Sequence, residues 1–364
     1  MRGHIRRYVP RTRRAVHSLV QLHDAPWRWK VGLEASLAMG LPVGLFTLAG
    51  HQPLGLQAAL GSFTALYAAG LHRPDRARVL PFVALGLLLA AALGIACAGN
   101  AWLTTACLIA VSALACTLSL GFRLGPPGPM MFVLVAAVSN HLTAPASLGG
   151  VALPGLRLLG LIALGSTLAY LVIVAPLILP SARRAASVPA VLPALPSFEL
   201  TAEAIAIGLR VVIAVTVACL VSRPLGAFRT YWVVLSAIAV LQSSYSRRLT
   251  SIQGVHRMIG TVAGVLVFEL LSLLHPAGLG IVLLLMLLQG ATEVVVARNY
   301  ALALLFITPM ALINSTAGHA GDTLVTVQGR ILDSLLGSGL ALAVFWAGEG
   351  LQRLQTSLTK ASRQ

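Results

Sequence analysis

Arg257-Met258-Ile259-Gly260-Thr261 places a guanidinium at the start of a long apolar run, with a small residue and a hydroxyl one turn on. An arginine there can grip a carboxylate through two parallel N–H···O contacts. Arg210 and Glu34 lie inside other apolar runs, and Glu269 follows Arg257 by twelve residues, roughly 18 Å along a helix. Charge within an apolar span is costly, which makes each a candidate: the arginines as anion contacts, Glu269 and Glu34 as proton carriers whose burial resists ionisation. Each also has a plainer reading. Arg257 would anchor a helix on the positively charged side of a membrane, Glu34 and Arg210 would snorkel to an interface, and Glu269 would hydrogen-bond a neighbouring helix. Because Glu34 and Arg210 each follow a Gly-Leu pair, they are also expected to be able to meet as an ion pair.

Polar residues that bound apolar runs form a second set. Tyr231-Trp232 opens one run and Gln242 closes it. Asn140 and Asn314 end two short, proline-containing runs, GPPGPMMFVLVAAVSN and YALALLFITPMALIN. Short, interrupted segments mark transport sites, and an amide can donate to a carboxylate; a helix C-cap is the alternative role. Gly260 and Gly264 are spaced for close helix packing. Glu293 and Arg298 are expected to pair with each other, and Arg330 with Asp333. His51, His141, His275 and His319 fit no metal spacing and read as loop residues. Cys97, Cys107, Cys116 and Cys219 all sit in apolar runs with no Cys-x-x-Cys pair, so neither disulfide, metal nor cofactor is indicated. With ten acidic residues, mostly single, and no Gly-x-x-x-x-Gly-Lys loop, nothing argues for an enzyme or for ATP drive.

The elements that position these residues follow from composition. Of 364 residues, 57% are hydrophobic and 10% charged, with mean hydropathy +0.88. A soluble domain carries about a quarter charged residues, so the fold class is all-α, a polytopic helical membrane protein. The net charge of +16 is scattered in short clusters between apolar runs, which is a membrane-loop pattern and not a nucleic-acid footprint. Twelve segments are expected to span the lipid bilayer: 30–49, 54–71, 79–99, 102–120, 128–142, 157–179, 205–221, 230–244, 257–274, 278–292, 299–314 and 330–348. They divide the chain into a basic segment 1–29, a first half 30–180, a Pro/Ala-rich linker 181–204, a second half 205–348 and a tail 349–364. The stretch before Trp27 reads as a surface helix or a basic tail, with no cleavable signal. With both termini inside, 21 Lys and Arg fall on the cytoplasmic side and 4 outside, which fixes the orientation.

The halves resemble each other. Gly32-Leu33 matches Gly208-Leu209, Pro53-Leu54-Gly55 matches Pro224-Leu225-Gly226, Asn140 matches Asn314, and Arg157 matches Arg330. Two parallel six-helix repeats, with a pathway between them, are the expected architecture.

Tyr231-Trp232, Gln242, Arg257-x-x-Gly260-Thr261-x-x-Gly264, Asn299-Tyr300-Ala301 and Phe306-x-Thr308-Pro309 together resemble the fusaric acid resistance-like membrane family, over roughly 205–350. The likeness is weaker over 30–180, where His51-Gln52 and Leu56-Gln57 replace the Tyr-Trp pair and Arg78-x-x-Pro81-Phe82 replaces Arg-x-x-Gly-Thr. That family includes bacterial aromatic-acid exporters and is related to plant aluminium-activated malate channels. The resemblance implies a transporter in a bacterial inner membrane, a proton-coupled exporter of small organic anions or aromatic acids. Its partners would be that solute and the lipid, with a second copy of the chain or a periplasmic adaptor protein as possible additions. A passive anion channel and a non-transporting scaffold are the alternatives. Arg210, Arg257, Asn140, Asn314, Gln242 and Tyr231 are the expected substrate contacts, and Glu269 and Glu34 the proton-coupling groups.

Overall fold

A computed structural model describes residues 24–178, 197–225, 227–242, 247–316 and 323–361. Within them are twelve α-helices and no strand. The first group is α1 (Trp29–Leu48), α2 (Gln52–Ala58), α3 (Arg73–Ala96), α4 (Ala101–Gly121), α5 (Met130–Thr143) and α6 (Gly155–Val174). The second is α7 (Ala202–Ser222), α8 (Ala227–Leu241), α9 (Arg247–Ser272), α10 (Leu279–Val295), α11 (Tyr300–Thr316) and α12 (Thr323–Ala361). The basic stretch 1–23 and linker residues 179–196 lie outside the described residues.

Seven helices, α1, α3, α4, α6, α7, α9 and α12, are long and apolar enough to cross a membrane; α5, α8, α10 and α11 are shorter apolar helices. This is a multi-pass membrane protein. On α1, Leu33, Leu37, Leu41, Leu45 and Leu48 face outward while Ala35, Ala38, Met39 and Val43 are buried. Water would penalise that leucine stripe, whereas hydrocarbon solvates it. The short α8 is the opposite case: every residue from Tyr231 to Leu241 is buried, as expected of a helix at the centre of a bundle.

Small residues set the contacts. α1 meets α10 where Gly32 faces Gly290, and Ser36 Oγ donates to the Met286 carbonyl at 2.7 Å. A Cβ on Gly260 would stand 2.9 Å from the Ala301 carbonyl oxygen, and one on Gly264 2.5 Å from that of Leu304. Only glycine lets α9 lie so close on α11. α3 packs on α5 as α9 packs on α11, and α4 packs on α7 as α10 packs on α1.

The segment 54–71, expected to span the membrane as a helix, is not one continuous α-helix. α2 runs into a 3-10 helix, Ala59–Leu66, because Gly61 is pressed against the α6 backbone at Ile162 and Ser166. Arg76 satisfies the carbonyls this leaves: its Nε donates to Tyr67 O at 3.1 Å and its Nη2 to Ala65 O. Irregular backbone at membrane depth persists only where protein covers it and completes its hydrogen bonds.

Candidate anion site

A cavity of about 830 Å³, large enough for a drug-sized molecule, is lined by residues of both groups of helices. Much of its wall is apolar, with Leu56, Phe63, Met131, Leu134 and Met310 among the lining residues. Arg257 and Arg330 bring charge to it from α9 and α12, at 4% and 2% exposure.

Among the described residues, neither guanidinium makes an ion pair. Arg257 donates to the Tyr300 hydroxyl at 2.7 Å and to Ser236 Oγ at 3.2 Å, while its buried Nε finds no hydrogen-bond partner among the described residues. Arg330 stacks on Trp232, its Cζ 3.8 Å from the ring centroid, and its Nε and Nη1 likewise find no acceptor. Each guanidinium feels the other's charge. Asp333, expected to pair with Arg330, acts on it only across a longer distance: it sits one turn on, buried, and makes no ion pair with it. A cation out of water normally needs a counter-ion, and neither arginine makes an ion pair among the described residues.

Local sequence explains the placement. Tyr231, Leu235, Ala239 and Gln242 fall on one side of α8, and Tyr300, Ile307, Met310 and Asn314 on one side of α11, each set lining the cavity. The Gln242 Oε1 and Asn314 Oδ1 atoms are buried without donors among the described residues. His141, whose ring lies 5.8 Å from that of Tyr231, and His256 also line the cavity.

The other sequence candidates lie elsewhere. Asn140 spends its amide on the Gly94 carbonyl and Thr104 Oγ1, both at 3.0 Å, which ties α5 to α3 and α4. Glu34 and Arg210 do not meet. Glu34 binds Arg73 at 2.6 Å and Arg76 at 2.5 Å, whereas Arg210 binds Glu349 at 3.0 Å and stacks on Phe345. Each pairs within its own group of helices because α3 and α12 bring opposite charge to it at short range. Glu269, expected to be buried, is exposed on α9 three residues before the helix ends, between the outward-facing Leu266 and Leu270. Glu293 and Arg298 are not an ion pair. Glu293 Oε2 lies 3.8 Å from Arg28, and Arg298 stacks on Trp27 at 3.9 Å. Sequence reading passed over Arg330 and Glu293 because each had a neighbour of opposite charge close in the chain. The missed signal was Gln289, Thr292 and Glu293 at helical spacing: together they form a polar face, on an apolar helix, that lines the cavity.

Comparison with known proteins converges on the same helices. Residues 217–344 match the family described as fusaric acid resistance protein-like. The chain is 34% identical over 155 residues to an uncharacterized membrane protein of Bacillus subtilis (strain 168), YvaC, covering 40% of this chain and 25% of that one. It is 33% identical over 122 residues to an uncharacterized protein of Haemophilus influenzae, covering 32% and 16%. The chain therefore spans a quarter or less of the length of these relatives. No solved structure matches it. The matched segment contains Tyr231, Trp232, Arg257, Tyr300, Asn314 and Arg330, so the part of the chain that supplies both buried arginines is the part similar to the fusaric acid resistance protein-like family.

Proposed function

We propose that the protein is a secondary transporter of small organic anions, aromatic acids among them, with export as its direction and both termini on the cytoplasmic side of a bacterial inner membrane. The observation that carries this reading is the pair Arg257 and Arg330, buried, without a carboxylate ion pair among the described residues, and facing a largely apolar cavity. Two guanidiniums offer a carboxylate more N–H groups than their protein partners use, while Trp232, Tyr231 and the methionines suit an apolar or aromatic body. Export rests on the resistance description of the matched family alone.

The exposed position of Glu269 favours a second reading, a passive anion conduit, because it removes the carboxyl that would have served proton coupling. Proteoliposome flux tests both. Benzoate uptake and counterflow should depend on Arg257 and Arg330, with alanine at either position abolishing flux at normal membrane abundance and lysine rescuing poorly. Wild-type flux in both alanine variants would overturn the anion site. Flux that never exceeds the imposed solute gradient under any pH gradient would establish the conduit.

A further inference from the structure

We propose that Glu293 is the carboxyl that binds a proton in this cavity, and that it does so together with the anion. The inference rests on the transporter reading above and adds to it the group that titrates and the sign of its coupling.

The acids can be sorted by what holds them. Glu34 is saturated by Arg73 and Arg76, Glu349 is paired with Arg210, Asp75 with Arg78, and Glu199 with Arg123. Asp24, Glu203 and Glu269 are exposed, Asp333 is buried away from the cavity wall, and Asp322 lies outside the described residues. Glu293 alone among the described acids lines the cavity. Its side chain is 10% exposed and its nearest cation, Arg28, stands at 3.8 Å, beyond hydrogen-bond distance. Such a group can gain a proton without breaking a close ion pair, which the paired acids cannot.

Arg28 comes from the segment before α1, and Arg76 of α3 also acts on the carboxyl. Arg298 follows α10 in the loop and is engaged with Trp27. From α11, packed on α10, the cavity receives the uncharged Tyr300 and Asn314. The two histidines on the wall, His141 and His256, are the rival titrating groups.

The sign follows from Coulomb's law. An anion entering the cavity repels the Glu293 carboxylate and attracts the two arginines, so it favours the protonated acid. Linkage is reciprocal, so the protonated acid must favour the anion. With a monocarboxylate, proton and anion together add no net charge to the cavity.

The test is an infrared titration of the purified protein, from about pH 5 to about pH 9, with and without benzoate. Benzoate affinity is measured in parallel by calorimetry in two buffers of different protonation enthalpy. The wild type should show a protonated-carboxyl band that Glu293→Gln removes and that benzoate moves to higher pH. Binding should take up a fraction of a proton and tighten on acidification, by at most about tenfold per pH unit for one linked proton. Glu293→Gln should bind benzoate with pH-independent affinity and no proton uptake, while His141→Gln and His256→Gln keep the pH dependence and the proton uptake of the wild type. A band unchanged in Glu293→Gln, or proton uptake lost in a histidine variant instead, overturns the assignment. A titrating Glu293 in a protein that binds no benzoate supports the carboxyl and overturns the anion site, which separates the two failures.

Discussion

Arg157 and Arg330 occupy corresponding places in the sequence, Arg157 opening α6 and Arg330 lying in the first third of α12, and their surroundings are opposite. Arg157 is exposed, whereas Arg330 is 2% exposed, stacked on Trp232 and without an ion pair among the described residues. The same contrast recurs at two other matched positions. Arg78 has a side chain 73% exposed and leans on Asp75, while Arg257 is buried between Tyr300 and Ser236. Asn140 has both its amide contacts inside the protein, while Asn314 keeps a buried, unsatisfied oxygen on the cavity. Among the described residues, the first group of helices does without a buried cation that lacks an ion pair. Retaining two such cations in the second group costs stability, and the anion they receive is the compensation we infer. The buried charges of the first group instead close on themselves and hold backbone in place.

The comparison breaks most visibly at Arg76. Arg76→Ala removes the donor to Tyr67 and Ala65 and leaves Glu34 with Arg73 alone. Breaking one side of a buried pair costs roughly 3–5 kcal/mol, so thermal unfolding in detergent should shift down by many degrees. The fraction that stays folded should bind benzoate as wild type does. Loss of binding at unchanged stability would move the site into the first group.

Arg330→Met sharpens the contrast in the other direction. Removing a charged hydrogen-bond donor of the anion costs about 1.5–3 kcal/mol, so benzoate affinity should fall about 10- to 100-fold. Stability should hold or rise, because the substitution relieves repulsion with Arg257 and fills the space with an apolar chain. Arg157→Met should change neither quantity. A destabilised Arg330→Met with intact binding would make Arg330 a structural anchor and not an anion contact. A smaller step is Trp232→Leu, which frees the Arg330 guanidinium and loses a cation–π contact worth about 1 kcal/mol. Calorimetry should then read an affinity loss of about fivefold.

Much of this was legible in the sequence. Continuous apolar runs specify helices in lipid, and most helix boundaries lie within a few residues of them; the exceptions are 54–71, the start of α3 at Arg73, the start of α9 at Arg247 and both ends of α12 (Thr323–Ala361), where the helix continues into polar sequence. The exception over 54–71 has a local cause: Gly61 packs against backbone that only the folded α6 provides. Arg257, Tyr231, Gln242 and Asn314 were identifiable because each bounds an apolar run, where a polar residue is expensive. Pairing was not legible. Which acid reaches Arg210 or Arg76 depends on helices 139 and 42 residues away in sequence. Depth along a helix located Glu269 but could not say which way it faced; a rotation of one residue, about 100°, turns a cavity carboxyl into an outward one.

The smallest expected effect is therefore at Glu269. Glu269→Gln keeps the shape and replaces the carboxyl on an exposed face of α9, outside the cavity lining. Surface substitutions of this kind stay within about 0.5 kcal/mol, so stability, benzoate affinity and the pH dependence of flux should all match wild type. Measured beside Glu293→Gln in the same vesicles, the pair decides which carboxyl couples. If Glu269→Gln flattens the pH dependence and Glu293→Gln does not, the proton path runs along the outward face of α9. The cavity would then carry the anion alone, and the division between a structural first group and a functional second one would need a third region to complete it.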